Sequence, residues 1–214
     1  MSDKKSSGHN SKKEFLNNPV EHIDITSFDA RKIISSMEKM SFVSREIANA
    51  SKIFNEMIKD NDCTIFLTLA GSTSAAGCMN VYRDLVKYNM VDAIIATGAS
   101  IIDMDFFEAL GFKHYQGSQF QDDMELRKNY IDRIYDTYID EDELQTCDKT
   151  ICEIADGLKP KNYTSREFIH EIGKYLKQHS IKKDSLIETA YDNGVPIFCP
   201  DRKSTRLNSS HALI

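Results

Sequence analysis

The distribution of apolar residues divides the chain into segments with helical spacing and short, uninterrupted apolar runs. From Thr26 the apolar residues recur at intervals of three and four, first in TSFDARKIISSMEKM and then in SREIANASKIFNEMIKD. This spacing puts them on one face of a helix and predicts two helices. The runs CTIFLTLA (63–70) and VDAIIATG (91–98) are rich in β-branched residues, which is typical of buried strands.

Each predicted strand is followed by small residues and then by a helix. GSTSAAG leads from the first strand to the helical segment CMNVYRDLVKYN, and TGAS leads from the second strand to DMDFFEALG. Strand, loop, helix and strand form a βαβ unit, which in one sheet implies parallel pairing with a right-handed crossover.

The rest of the chain continues this pattern without an internal repeat or an interdomain linker. After Asp122 the segment MELRKNYIDRIYDTYIDEDEL is charged and reads as helical. Two amphipathic helices are predicted near Ser165–His179 and Asp184–Asn193, and the run VPIFCP predicts one more buried strand. The pattern therefore predicts one α/β domain with a parallel sheet flanked by helices.

Composition and charge exclude several classes of protein. The chain has 214 residues, is 41% hydrophobic, and carries a formal charge of −6 from 27 basic and 33 acidic residues. An acidic body argues against nucleic acid as a partner, and no apolar run approaches the roughly 20 residues of a membrane span. The five cysteines are odd in number and lack CxxC spacing. This usage predicts reduced thiols in a cytoplasmic protein and no metal site.

The two ends of the chain differ from the segment between them. Residues 1–16 are polar and basic at their start, MSDKKSSGHNSKK, and are predicted to form a disordered arm. Residues 201–214, DRKSTRLNSSHALI, have no apolar face at either period, so we expect no strand and poor packing. DRKSTRLNSSH also matches an in-frame translation of a common sequencing adapter. We therefore expect 201–214 to be an artefact joined to a truncated gene.

The small-residue loops occupy the position where open parallel sheets bind ligands, beyond the carboxyl ends of the strands. In Gly71–Gly77 the hydroxyls of Ser72, Thr73 and Ser74 could bond to a ligand, and helix N–H groups there favour phosphate. Thr97–Ser100 holds the same position after the second strand. The same residues would equally permit tight turns without a ligand. Neither loop has GxGxxG or GxxxxGK[ST] spacing, so the pattern leaves the function open.

Five motifs, in order and spacing, resemble the N-terminal half of deoxyhypusine synthases. They are LAGSTSAAG, YNMVDAIIATGAS, DFFEALGFKHYQG, ELRKNYIDRIYD and GVPIFCP. The sequence is most similar to the bacterial deoxyhypusine synthase-like branch, which includes homospermidine-forming enzymes. The resemblance covers about Asn17 to Pro200. It implies a Rossmann-like fold in which residues 17–200 are the N-terminal part of a single NAD-binding α/β domain that is truncated at its C-terminal side.

The resemblance also implies an activity, which is NAD-dependent transfer of the aminobutyl group of spermidine to an amine acceptor. The acceptor is either putrescine, giving homospermidine, which we favour, or a lysine of a translation factor, giving deoxyhypusine. Family members are homotetramers with active sites between subunits. Their catalytic lysine lies beyond the part matched here, so we expect no catalytic residue in this chain and no turnover by it alone. A purely nucleotide-binding fragment is the alternative. A sirtuin-type deacylase is disfavoured because paired CxxC motifs are absent.

Individual residues follow from the same resemblance. NAD contacts are implied for both loops and the acid beyond them, namely Gly71, Ser72, Thr73, Ser74, Ala75, Thr97, Gly98, Ala99 and Asp103. Asp103 and Asp105 are implied for polyamine binding, since a carboxylate accepts from ribose hydroxyls and pairs with alkylammonium groups. Their stretch, IIDMD, is one residue longer than in eukaryotic relatives and has Asp for Glu, so their separate roles stay open. Helix N-capping is the alternative for both residues. The lone His114 is assigned no role, since such histidines are more often structural.

Overall fold

The computed structural model describes residues 11–200, which form two small sheets with helices packed around them. The α-helices in this range are α1 (Lys12–Phe15), α2 (Arg31–Met37), α3 (Val43–Lys59), α4 (Met79–Lys87), α5 (Phe107–Ala109), α6 (Asp123–Lys128), α7 (Glu141–Asp156), α8 (Ser165–His179) and α9 (Leu186–Asn193). The strands are β1 (Phe66–Leu69), β2 (Ala93–Ala96), β3 (Tyr115–Gln116), β4 (Ile131–Ile134), β5 (Thr137–Asp140) and β6 (Ile197–Phe198). A 3-10 turn spans Ile25–Ser27, and π-helical turns span Ser74–Cys78 and Ala99–Phe106. Within the described range no helix combines the length and the apolar character that crossing a membrane requires.

The first sheet is parallel and has the order β1-β2-β6. Its central strand β2 pairs with β1 from Phe66↔Ala93 onward, and with β6 through Ile94↔Ile197. Helix α4 makes the crossover from β1 to β2, as the βαβ pattern predicts. The predicted parallel sheet flanked by helices is therefore confirmed.

The main core lies between the parallel sheet and the helices that follow its strands. Phe106 and Phe107, at the end of the helix after β2, are fully buried against this core, as are Ile172 and Leu176 of α8. Helix α8 has the predicted bounds, because its N-terminus carries a capping box in which Thr164 and Glu167 bond to each other's backbone N–H.

Strand β1 differs from its prediction in one respect. The apolar run predicted a strand buried on both faces, but Phe66 is 55% exposed and Thr68 is also exposed. Within the described residues β1 pairs with β2 alone, so its outer edge is unpaired, and the face that carries Phe66 and Thr68 is exposed.

A second, antiparallel sheet, β3-β5-β4, was not predicted from the sequence. Residues 124–144 read as helical because Ile131, Ile134 and Tyr138 fall at intervals of three and four, as apolar residues of a helix do. A two-residue connection joins β4 to β5, and it contains Tyr135 at φ 56° with no glycine to signal a turn. Helix α7 begins within IDEDEL, where the Asp140 side chain caps it by accepting from Asp142 N–H at 2.9 Å.

Within the described residues, regular structure begins nearer the N-terminus than the sequence predicts. Residues 12–15, which were predicted to belong to a disordered arm, form α1. Lys12 pairs with Asp140 at 2.6 Å and with Asp142 at 2.7 Å. The Phe15 ring packs edge-on against Tyr138 in a second, smaller core, which also contains Leu126 and Ile131. The arm therefore cannot extend to residue 16. Residues 1–10 and the tail at 201–214 lie outside the described range, so the predictions for them stay predictions.

Candidate functional site

The two predicted ligand loops lie side by side at the carboxyl edge of the parallel sheet. One follows β1 and the other follows β2, and Thr97 N–H donates to the Leu69 carbonyl at 3.2 Å. Ser100 joins the loops, because its buried hydroxyl donates to the Gly71 carbonyl at 3.0 Å and lies 3.0 Å from the Thr97 hydroxyl. The strand pairing and this bridge fix both loops as one surface.

The first loop is shorter than predicted. Gly71 has φ +74°, a backbone conformation that favours glycine, and the space where a side chain would extend from it is open. The chain turns helical at Ser74, so only residues 70–73 form the loop before the π-helical turn that leads into α4. The Thr73 hydroxyl is 2.7 Å from the Tyr82 hydroxyl of α4, which ties the end of the loop to that helix.

Ser74 carries the clearest indication that the first loop binds something. Its side chain is only 2% exposed, and its hydroxyl has no hydrogen-bond partner within residues 11–200. A buried hydroxyl without a partner costs about 1 to 3 kcal/mol. This hydroxyl, the open space beside Gly71 and the adjoining helix start fit a nucleotide cofactor that approaches the backbone closely.

The second loop is also shorter than predicted, and this changes the expected positions of Asp103 and Asp105. The helix after β2 begins at Ala99, and the Thr97 hydroxyl accepts from Ser100 N–H at 3.3 Å in its first turn. Asp103 and Asp105 therefore lie inside this helix, not at its N-terminus, and cannot cap it. Asp103 is half-buried.

Asp105 is fully buried and caps a different helix. Its two carboxylate oxygens accept from Leu186 N–H at 2.7 Å and Ile187 N–H at 2.8 Å, which are the first backbone donors of α9. Burial raises the pKa of Asp105 to about 6, against the opposing effect of these two hydrogen bonds. Asp105 is therefore a capping residue, but the helix that it caps is α9 and not the helix that contains it. Its role in polyamine binding stays a prediction.

The buried carboxylate of Glu108, near the end of the helix that follows the second loop, has three hydrogen-bond donors around it. Its oxygens lie 2.8 Å from His114 Nδ1 and 2.6 Å from His22 Nε2, and Lys182 pairs with the same carboxylate. Burial alone would raise the pKa of Glu108, but the hydrogen bonds from His114 and His22 and the charge of Lys182 hold it well below its usual range. His114 also packs against Phe107, so its position is that of a structural histidine.

The structure brings together the two loops that the sequence singled out, and it adds residues that the sequence analysis missed. Ser100 was signalled only as the last residue of TGAS, and Tyr82 lies one turn into the following helix. His22 and Glu108 are 86 residues apart and carry no common motif. The five cysteines are free thiols, and the described residues contain no group of three His, Cys, Asp or Glu side chains that could bind a metal ion.

Comparison with known proteins identifies close relatives. The family model described as deoxyhypusine synthase matches residues 32–205. A deoxyhypusine synthase-like protein of Coxiella burnetii is 65% identical over 190 residues, which are 88% of this chain and 54% of the relative. One from Caulobacter vibrioides is 64% identical over 193 residues, 90% of this chain and 53% of the relative. The chain thus spans about half the length of the curated relatives it matches.

The comparison of folds agrees with the comparison of sequences. A crystal structure assigned to a deoxyhypusine synthase of Entamoeba histolytica matches with a TM-score of 0.57 and 19% identity. The match covers 85% of this chain and 62% of the other. At this identity the likeness concerns the fold alone.

Proposed function

Because the chain belongs to the deoxyhypusine synthase family, we propose that it forms the NAD-binding part of a transferase that moves the aminobutyl group of spermidine to an amine acceptor. The observation that carries the proposal is the unpartnered, buried hydroxyl of Ser74 beside two loops that Ser100 joins. A surface of this kind suits a dinucleotide, whose phosphates accept from loop hydroxyls and helix N–H groups.

Each loop has its own part in holding the cofactor. Residues 71–75 lie against the phosphates, and the Ser74 hydroxyl gains its missing partner there. Residues 97–99 contact the cofactor from the second strand, and Asp103 accepts from ribose hydroxyls or pairs with an ammonium group of the polyamine. NAD, when bound, supplies hydride transfer. The protein residues bind it, orient it and exclude water.

For the acceptor we propose putrescine, so that the product is homospermidine. The support is the resemblance to the bacterial branch, together with a half-buried acid, Asp103, on the helix that begins at the second loop. A small diamine needs only a narrow acidic pocket, whereas a protein lysine needs a broad docking surface. We propose a cytoplasmic homotetramer for the whole protein.

Cofactor binding is tested with two changes in the first loop. Ser74→Ala removes the unpartnered hydroxyl without adding volume, so the free protein should be equally stable or more stable, while NAD binding weakens by about fivefold. Ser72→Leu should weaken binding by blocking close approach to the backbone. Calorimetric titration with NAD measures the affinities, and Ser35→Leu on the exposed surface of α2 is the control.

The opposite signs of the two Ser74→Ala effects make this test specific. Unchanged NAD affinity in both loop variants would show that the loop is only a strand-to-helix turn. Loss of affinity in the Ser35→Leu control would show that added leucine, and not the position of the loop, is responsible.

The transfer reaction is tested in a protein of the relatives' full length, supplied with NAD, spermidine and either putrescine or a translation factor. Mass spectrometry should detect homospermidine. Modification of the factor's lysine without homospermidine would replace the proposed acceptor with a protein. NAD binding with neither product would leave a nucleotide-binding protein as the better description.

A further inference from the structure

We infer that His22 is a positioning residue that fixes the first turn of α4, and through it the first loop, in one conformation. Its ring lies between that turn and the Glu108 carboxylate, with Nδ1 3.3 Å from Met79 N and Nε2 2.6 Å from Glu108 Oε2. The inference rests on the proposed function insofar as this loop holds NAD. The geometric part stands without it.

The contacts of His22 specify its tautomer. Met79 N–H is a donor, so Nδ1 must be the unprotonated acceptor nitrogen. The carboxylate of Glu108 accepts only, so Nε2 must carry the proton and donate it. The neutral ring with Nε2–H satisfies both partners at once, whereas a proton on Nδ1 would face the N–H of Met79.

The other groups around Glu108 leave the carboxylate oxygen Oε2 available to His22. His114 donates Nδ1–H to the other carboxylate oxygen, and its Nε2 is buried without a hydrogen-bond partner in residues 11–200. Lys182 supplies the positive charge that balances Glu108. Asp105, on the same helix as Glu108, is directed to α9. The Glu108 carboxylate thus has three donors, one each from His22, His114 and Lys182.

The segment that carries His22 packs directly against the C-terminal end of the π-helical turn Ser74–Cys78. Ile23 N–H donates to the Gly77 carbonyl at 2.9 Å. Gly77 has φ +102°, and a side chain there would meet the Glu21 carbonyl at 3.0 Å. With the bond from Met79 to His22, this segment holds the turn at two successive points, and the other end of the turn is Ser74.

Two substitutions test the hydrogen bonds of the two ring nitrogens of His22 separately. In His22→Asn the amide oxygen can replace Nδ1 as the acceptor for Met79, but the contact to Glu108 is lost. In His22→Gln the amide nitrogen can replace Nε2 as the donor to Glu108, but the acceptor for Met79 is lost. Each variant loses one hydrogen bond, so a merely structural role predicts similar behaviour for both.

Amide hydrogen exchange of residues 74–79 without NAD, and titration with NAD, are measured on the full 214-residue chain. We expect about tenfold faster exchange and about tenfold weaker NAD binding in His22→Gln than in His22→Asn, with His22→Asn near the wild type. Nitrogen-15 spectra of the wild type should show an unprotonated Nδ1.

Each other result has a defined meaning. Equal exchange in the two variants, or a protonated Nδ1, overturns the inference whether or not NAD binds. Unequal exchange with equal NAD affinity overturns the link between His22 and the cofactor. If the two variants differ in exchange but the wild type does not bind NAD, the positioning of the loop by His22 is supported and only the proposed function is overturned.

Discussion

The carboxylate of Asp105 allows a test of how burial and hydrogen bonding compete at the junction between two helices. The change is Asp105→Asn, which keeps the volume of the side chain and one acceptor for the backbone of α9. It removes the charge from a fully buried position. Because volume is conserved, no cavity contributes to the result. The amide nitrogen cannot accept from the second N–H of α9, which adds a cost that does not depend on pH, so the pH-dependent part of the difference in the free energy of unfolding reports the charge.

The magnitude follows from the pKa. Burial raises the pKa of Asp105 from the ordinary 3.8 to about 6, which corresponds to about 3 kcal/mol. The folded state therefore holds this proton more tightly than the unfolded state does. The contribution to stability is fully present below about pH 4 and is lost as the pH rises to about 6. Relative to Asp105→Asn, the wild type should lose about 3 kcal/mol over that range.

Urea denaturation followed by circular dichroism at about pH 4, 5, 6 and 7 measures this difference. Asp122→Asn is the matched control, because Asp122 caps α6 from an exposed position and accepts from Met124 N–H at 2.8 Å. The control should change stability by about 1 kcal/mol or less at every pH. If the wild type instead gains on Asp105→Asn as the pH rises, the two N–H groups of α9 outweigh burial, and the reasoning is refuted.

Two further predictions concern glycines at close packing contacts, with unfolding free energies as the measurement. Gly117→Ala should lower stability by about 2 kcal/mol, because the added carbon would lie 2.2 Å from the Tyr138 ring; unchanged stability would mean that this ring can move aside. Gly173→Ala should lower stability by about 1 to 2 kcal/mol despite the better helix propensity of alanine, since the added carbon would lie 2.6 Å from Tyr191 Cβ. Gly157→Ala, at the end of α7 with no contact below 3.4 Å, is its control and should gain about 0.5 kcal/mol. A loss in the control as large as in Gly173→Ala would contradict the steric reason.

The elements that could be predicted from the sequence are those in which local pattern and tertiary environment agree. Helix α8 has an amphipathic stripe and its own capping box at Thr164, so its bounds are encoded locally. The strands β1 and β2 are apolar and followed by small residues, and the loops beyond them were predicted for the same reason.

The elements that could not be predicted are those in which a local pattern has two solutions or a contact spans the fold. In the hairpin β4–β5 the apolar spacing suits a helix, and only pairing with β3 makes it a sheet. Asp105 could be recognised as a capping residue, but not that the helix it caps begins 81 residues later. The donors to Glu108 come from three separate segments, and no spacing rule connects them.

The arrangement of the parallel sheet also has a consequence for the order in which the protein folds. The central strand β2, which ends at the second loop, has β1 on one side and the late two-residue strand β6 on the other. Pairing of Ile94 with Ile197 closes a chain segment of about 100 residues, and such long closures slow folding. During synthesis on the ribosome, β1, α4 and β2 can assemble early, but β2 stays uncovered on one side until residues 197–198 emerge. Before that time the apolar edge of β2 is open to pairing with another chain, so the nascent protein is prone to aggregation until β6 has been synthesised and pairs with β2.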